Sequence, residues 1–144
     1  MSNEATEKKE TRPDFSVLVG KTLSVSRTVD ESMTAAHLGS GAVSVLATPI
    51  MILLMEKASA RSIADALPEG YKSVGTEVNI KHTAATPVGM EVTASATVES
   101  VTGSKIVFAV MASDANGEVG RGTHTRYVIN EAKFLAKAQQ KGEK

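Results

Sequence analysis

Three side chains of the types used in acid–base chemistry stand out in the sequence: the hydroxyl of Thr48, the carboxylate of Glu56 and the imidazole of His82. His82 lies in the segment Lys81–Met90 (KHTAATPVGM), at the end of a predicted strand. An imidazole can take a proton from a hydroxyl or a water, and a carboxylate can orient the imidazole or the water. We expect these three side chains to meet in one pocket.

Thr48 and Pro49 predict the start of a helix. Threonine is a good N-cap, and proline at the first helical position gives up only an amide that would be unpaired anyway. The helix should run to about residue 66, because the segment Leu67–Gly70 (LPEG) ends it. The hydroxyl of Thr48 therefore has two possible roles, helix capping or chemistry.

Glu56 has an unusual position on this helix. At about 100° per residue, it falls in the middle of the apolar face. That face is predicted to contain Ile52, Leu53, Ala60, Ile63 and Leu67. A carboxylate directed into a core is costly unless it is paired. Glu56 is therefore either an acid–base or water-orienting group, or a glutamate at the margin of the face that reaches solvent.

His82 belongs to a strand predicted over residues 74–84, in which polar and apolar residues alternate. Thr76, Val78, Ile80 and His82 share one side of that strand. A histidine on a core-facing side is either a structural residue with its hydrogen bonds satisfied or a catalytic residue. The strand pattern does not decide between the two.

Composition restricts the class of protein. A chain of 144 residues has the size of one domain. Its 16 basic residues balance its 16 acidic residues, so that no overall electrostatic field favours binding to nucleic acid or to an anionic membrane. Aromatic residues make up 3%, too few for base-stacking platforms, and cysteine is absent. The longest apolar run, residues 49–55, is too short to span a bilayer, and residues 1–13 lack the apolar core of a secretory signal. We expect a cytoplasmic protein.

The predicted elements follow a simple order. A disordered tail at residues 1–14 precedes a single domain at residues 15–141, in which a first strand and a lid-like segment lead to the helix. Further strands and a short terminal helix follow, with a hairpin turn at Asp114–Gly117. The expected ranges are a strand within 15–29, a lid at 30–47, strands at 74–84, 90–101, 105–113 and 118–130, and a helix at 131–141. The 105–113 strand is apolar on both sides, which predicts a central position.

Two segments carry a resemblance to a known family: Gly75–Val98, with its HTAATPxG run, and Gly120–Lys141, with its GTHxR run and EAKF segment. Together they resemble the fluoroacetyl-coenzyme A thioesterase-like family of hot-dog proteins. The resemblance covers about residues 15–141. It implies an α+β hot-dog fold, in which a curved antiparallel sheet wraps one long central helix.

The resemblance also implies a site and an activity. The catalytic threonine, glutamate and histidine of the family correspond to Thr48, Glu56 and His82, and the residues that line its acyl site correspond to Gly75 and Arg126. The implied activity is an acyl-CoA thioesterase, which hydrolyses a small acyl-CoA thioester to the free acid and CoA. Arg126 could anchor an acyl carboxylate, order the site or pair with a surface acid.

The predicted lid departs from the family pattern. Where the fluoroacetyl-specific enzyme carries an aromatic gate, this chain has residues 37–44 (HLGSGAVS), with Ala42 near the gate position. The resemblance therefore implies thioesterase chemistry without fluoroacetate selectivity. Two other classes stay open: an acyl-thioester hydratase or dehydratase, and a non-catalytic acyl-CoA binding or sensor protein.

The sequence predicts no metal site and no cofactor beyond the CoA of the substrate. His37, His82 and His124 are scattered without the spacing of metal ligands. His37 is predicted to be a surface residue and His124 a structural one. Hot-dog proteins of this resemblance join sheets edge to edge with active sites at the junction, so that a homodimer is expected.

Overall fold

The structure is a computed structural model that describes residues 13–143. One antiparallel sheet of five strands packs against one long helix, which confirms the predicted α+β class. The strands are β1 Thr22–Thr28, β2 Tyr71–His82, β3 Glu91–Thr102, β4 Lys105–Asp114 and β5 Gly117–Asn130; the helices are α1 Ala35–Leu38, α2 Thr48–Ala64 and α3 Glu131–Gly142. The predicted tail lies outside the described residues except for Pro13 and Asp14.

The order of strands across the sheet is β1-β3-β4-β5-β2. β4 is central, as its apolar sequence predicts, and its burial alternates along the strand. The hairpin predicted at Asp114–Gly117 joins β4 to β5, and the Asn116 amide donates to the Asp114 side chain within it. β1 is shorter than expected, because Ser16–Leu18 forms a 3-10 turn that buries Leu18. β2 forms one edge of the sheet.

Helix α2 packs across the sheet through a face that differs from the predicted one. Its buried residues are Met51, Leu54, Met55, Ala58, Ser59, Ser62 and Ile63. Leu53, expected on the buried face, is 41% exposed. The first half of α2 is apolar on all sides, so that its sequence does not specify which side meets the sheet. Gly120 on β5 fixes the approach, because a β-carbon there would lie 2.6 Å from the sulfur of Met51.

The start of α2 also differs from the prediction. Ala47 is the N-cap and Thr48 is already helical, so that Pro49 occupies the second helical position. No side chain caps this helix, and the hydroxyl of Thr48 is not used for capping. The helix ends at Ala64, two residues before the expected end. Within residues 13–143, no helix is long and apolar enough to cross a bilayer.

Strand β2 contains a β-bulge that matters for the site. The register shifts between Gly75 and Glu77, so that Gly75 pairs with Arg126 and Val78 with His124. Side chains alternate along a strand, and a spacing of seven residues would put Gly75 and His82 on opposite faces. The extra residue in the bulge puts both on the same face.

The lid-like segment contains two short helical turns. The first spans Glu31–Met33 and is capped by Asp30, and the second is α1. Gly39 ends α1 with a φ of 78°, a left-handed conformation that favours glycine. The chain then passes through an exposed stretch, residues 39–44, before it enters α2.

Candidate active site

Thr48 and His82 form a hydrogen-bonded pair, here called the Thr48–His82 pair. The first residue of α2 and the last residue of β2 bring the Thr48 Oγ1 to 2.7 Å from Nδ1 of His82. When the hydroxyl donates to Nδ1, the ring carries its own proton on Nε2. This Nε2 is buried and has no hydrogen-bond partner within the described chain. The pair thus has the arrangement of a nucleophile and its base.

The surroundings of His82 favour the neutral imidazole. Burial lowers its pKa below the ordinary value of 6.5, and the backbone of Ala84 offsets part of this effect. Burial acts in this direction because it disfavours the charged form. At neutral pH the ring is therefore able to accept a proton.

The Thr48–His82 pair opens onto a cavity of about 420 Å³. α1, the segment after it, the start of α2 and the residues that follow β2 form its walls. The lining residues are Ala35, Ser40, Gly41, Ala42, Val43, Val45, Leu46, Thr48, Pro49, His82, Thr83, Ala84 and Ala85. A ligand in this cavity would contact both members of the pair.

Glu56 lies in a second group of residues, here called the Glu56 cluster: Glu56, Gly75, His124 and Arg126. One oxygen of Glu56, Oε2, is 4.0 Å from Nη1 of Arg126 and 3.8 Å from Nε2 of His124. A β-carbon at Gly75 would lie 2.9 Å from the same oxygen. The side chain of Glu56 is 37% exposed, so that it lies at the margin of the apolar face and is not buried in the core.

Arg126 is held within the sheet. Its Nε donates to the hydroxyl of Ser73 over 2.8 Å and its Nη2 to the carbonyl of Ser73 over 2.9 Å. Nη1 lies 3.2 Å from Nε2 of His124. Because these bonds fix the position of the guanidinium, Arg126 orders the Glu56 cluster. The contact with Ser73 was not anticipated, since it depends on the register between β2 and β5.

His124 is buried and neutral. Its Nδ1 lies 2.9 Å from the carbonyl of Glu77 and donates to it, so that Nε2 accepts from Arg126. Burial lowers the pKa of His124, with an opposing contribution from the Glu77 carbonyl. The close approach of His124 to Glu56 is therefore not an ion pair at neutral pH. Among the described residues, Arg126 is the cation that balances Glu56.

The structure brings Thr48 and His82 together, and separately brings Glu56, Gly75 and Arg126 together. Glu56 does not line the cavity, and the ion-pair contacts of its carboxylate are with the Glu56 cluster. Thr48 and Glu56 are eight residues apart on α2, about 12 Å along the axis. The expectation that all three catalytic candidates meet in one pocket is therefore not met within a single chain.

No group of three or more His, Asp or Glu residues within residues 13–143 could hold a metal ion. His37 is exposed at the end of α1, as predicted. His124 takes part in the Glu56 cluster, and Phe108 packs on its ring with the centroids 6.1 Å apart.

Comparison with known proteins identifies relatives of this chain. A family model described as fluoroacetyl-CoA-specific thioesterase matches residues 29–132. The fluoroacetyl-CoA thioesterase of Streptantibioticus cattleyicolor is 46% identical over 97 residues, which are 67% of this chain and 70% of that protein. These matches confirm the resemblance that the sequence motifs indicated.

Solved structures agree with the sequence relatives. The fluoroacetyl-CoA thioesterase FlK superposes with a TM-score of 0.80 at 40% identity, over 85% of this chain and 96% of that one. A hot-dog-like protein from Thermanaerovibrio acidaminovorans superposes with a TM-score of 0.83 at 25% identity, over 90% of this chain and 97% of that one. The fold is thus the hot-dog fold, and the chain belongs to the fluoroacetyl-CoA-specific thioesterase family.

Proposed function

We propose that this protein is an acyl-CoA thioesterase that hydrolyses small acyl-CoA thioesters to the free acid and CoA. The observation that carries the proposal is the Thr48–His82 pair, with 2.7 Å between hydroxyl and imidazole, at the wall of a cavity. Its place in a chain of the thioesterase family supports the same reaction. A thioester needs a nucleophile, a base and donors for the oxyanion, and the thiolate is already a good leaving group.

His82 acts as the general base in the proposed mechanism. Nδ1 takes the proton of the Thr48 hydroxyl while the Thr48 oxygen bonds to the carbonyl carbon. The carbon–sulfur bond then breaks, and the CoA thiolate takes the proton from His82. An ester on Thr48 remains. A water attacks this ester with the same base, which releases the acid and restores the hydroxyl of Thr48.

The start of α2 supplies a donor for the oxyanion. Pro49 has no N–H, and the amides of Ile50 and Met51 both donate to the carbonyl of Ala47. In the first turn, Thr48 is therefore the residue whose amide is available to donate a hydrogen bond to the oxyanion. An N–H at a helix start also benefits from the helix dipole.

The Glu56 cluster reaches the reaction, in our proposal, from a second copy of the chain. β2 is an edge strand, and Val78 in its middle is 42% exposed. Leu53 on the neighbouring helix is 41% exposed. An edge strand with exposed apolar residues is stabilised when another strand pairs with it. Two-fold pairing of β2 with β2 of a second chain would cover this edge. The protein would then be a homodimer.

A two-fold axis at the middle of β2 also explains why the Thr48–His82 pair and the Glu56 cluster are separated within one chain. If the axis passes through Asn79, so that Asn79 lies opposite its own copy, the extra residue of the bulge brings Gly75 of one chain opposite His82 of the partner subunit. The β-bulge keeps both residues on the same face. The carboxylate of Glu56 would then approach the imidazole of His82 from across the interface. Its negative charge would stabilise the imidazolium that forms when Nδ1 takes the proton of Thr48.

The proposal includes no metal and no cofactor, because CoA enters as part of the substrate. Acyl-CoA is the proposed partner, with no role for nucleic acid or a membrane. We also propose a cytoplasmic location, which a sequence with 0 cysteines fits because that compartment is reducing. Fractionation of cells that produce the protein at natural levels tests the location.

Release of free thiol from a panel of acyl-CoA substrates tests the function. Steady release with multiple turnovers supports a thioesterase. A hydratase or dehydratase would change the acyl group without releasing thiol. A binding or sensor protein would bind acyl-CoA without turnover. Either of these results would contradict the proposal, and Asp65→Asn, a change on the exposed surface, serves as an active control.

A further inference from the structure

Thr48 and His82 belong to different elements, so that their hydrogen bond depends on what holds the start of α2 against the end of β2. Leu46 precedes Thr48 by two residues, and Thr86 follows His82 by four. These two stretches, here called the site ring, are joined at both ends. The Thr48–His82 pair closes one end over 2.7 Å, and the amide of Leu46 donates to the carbonyl of Thr86 over 2.8 Å at the other. A shift of Thr86 therefore changes the geometry of the pair.

The sheet anchors the site ring at two points. The carbonyl of Val119 on β5 accepts the amides of Thr83 and Ala84 over 2.8 and 3.3 Å. The hydroxyl of Thr86 donates to Oδ2 of Asp114, at the end of β4, over 2.8 Å. The first anchor uses backbone amides. The second depends on two side chains, so that a substitution can remove it.

The side chain of Thr86 is fully buried, with 0% of its surface exposed. A side chain in this position does not touch a substrate. Its hydroxyl has lost contact with water and needs a partner within the protein. Asp114 is that partner. The hydroxyl of Thr86 thus serves to fix the position of the segment that follows His82.

Asp114 does more than form the hairpin turn between β4 and β5. Its Oδ1 accepts the amide of Asn116 over 2.8 Å, which is the bond that an aspartate or asparagine makes in such a turn. Its second oxygen, Oδ2, bonds outside the turn, to Thr86. The turn needs only the first of these bonds. The second connects the hairpin to the site ring.

We propose that Asp114 and Thr86 are positioning residues for the reaction, and that their hydrogen bond holds the hydroxyl of Thr48 at hydrogen-bonding distance from Nδ1 of His82. Their effect on turnover rests on the proposed function, because it requires that the Thr48–His82 pair hydrolyses a thioester. A displacement of a reacting group by about 1 Å can lower a rate by about 100-fold.

Kinetics of Thr86 variants with butyryl-CoA test the proposal. Thr86→Val removes the hydroxyl and keeps a similar shape, whereas Thr86→Ser keeps the hydroxyl. We expect Thr86→Val to lower kcat by about tenfold or more with KM within about twofold, and Thr86→Ser to recover most of the loss. Thr102→Val, at an exposed position on β3, is the control and should keep the wild-type kcat. A wild-type kcat in folded Thr86→Val, or an equal loss in the serine variant, would overturn the proposal.

Asp114→Ser provides a second variant if Thr86→Val does not fold, because Asp114 is only half-buried. A serine hydroxyl can still accept the amide of Asn116, but the side chain is too short to reach Thr86. We expect a loss of kcat similar to that of Thr86→Val. The double variant should be within about twofold of the slower single variant, since both changes remove the same bond. Losses that multiply in the double variant would show that the two residues act independently, contrary to the proposal.

The side-chain ¹⁵N NMR signals of His82 test the proposal without a substrate. At about pH 8, well above the pKa of His82, the imidazole is neutral and Nδ1 accepts from Thr48. In Thr86→Val and Asp114→Ser, the Nδ1 signal should move toward its position in Thr48→Ala, which lacks this bond. That shift supports the positioning role even if no thioester is turned over, a result that would refute the proposed function. An unchanged Nδ1 signal refutes the positioning role even if thioesters are hydrolysed.

Discussion

The hydroxyl of Thr48 lies 2.7 Å from Nδ1 of His82 and makes no cap for the helix that it begins. Substitution of Thr48 should therefore affect chemistry more than stability. We expect Thr48→Ala to lower kcat by about 100-fold or more, because the nucleophile is lost, and Thr48→Ser to retain activity. Steady-state kinetics and the Tm of each variant are the measurements. Full activity in Thr48→Ala would show that a water attacks directly.

The pH dependence of kcat/KM reports the protonation of His82 in the free enzyme. Burial disfavours the imidazolium and lowers the pKa of His82, so that the active neutral form persists to lower pH than usual. We expect kcat/KM to be level near pH 7 and to fall as the pH decreases, with its midpoint below 6.5. A midpoint above 6.5 would contradict this prediction and would mean that the partner subunit's Glu56, whose carboxylate favours the imidazolium, outweighs burial. Circular dichroism at each pH excludes unfolding as the cause.

Gly75 should be intolerant of a side chain for a reason specific to the site. A β-carbon there would lie 2.9 Å from Oε2 of Glu56 and 3.0 Å from Cε1 of His124. The Glu56 carboxylate can move, so that Gly75→Ala should displace it and lower kcat/KM by about 10- to 100-fold, with a small change in Tm. Gly142→Ala is the control, since a β-carbon there meets nothing within 4 Å. Unchanged activity in Gly75→Ala would show that the position of Glu56 does not matter for the reaction.

Mixed dimers test whether Glu56 acts across the subunit interface. Glu56→Ala and His82→Ala homodimers should each be inactive. A dimer with one subunit of each kind would contain one complete site, so that random mixing should restore about a quarter of the wild-type activity. No recovery, in mixtures shown to exchange subunits, would place Glu56 and His82 of one chain in the same site. Light scattering should give twice the chain mass of 15.1 kDa, and a monomer would contradict the proposed interface.

The strands and the central position of β4 could be read from the sequence, but the order β1-β3-β4-β5-β2 across the sheet could not. β4 is apolar on both sides and proved central, and the Asp114–Gly117 segment forms the hairpin that its residues predict. These features depend on local patterns that the sheet reinforces. The candidate residues Thr48 and His82 were also identifiable, because an imidazole on the core-facing side of a strand and a hydroxyl at a helix start are visible in the sequence.

The surroundings of Glu56 could not be predicted in the same way. Its exposure depends on which side of α2 meets the sheet, and a helix that is apolar on all sides leaves that undecided. Its contacts with Arg126 and His124 depend on the β-bulge at Gly75, which sets the register of β2 on β5. A bulge has little signature in a single sequence. The Ser73 contact of Arg126 follows from the same register.

Release of CoA thiol from butyryl-CoA by the wild-type protein and by His82→Ala tests the central claim most directly. We predict steady release by the wild type and a rate at least about 100-fold lower in His82→Ala, whose fold is checked by circular dichroism. No release by the wild type, or equal rates for the two proteins, would contradict thioester hydrolysis at the Thr48–His82 pair.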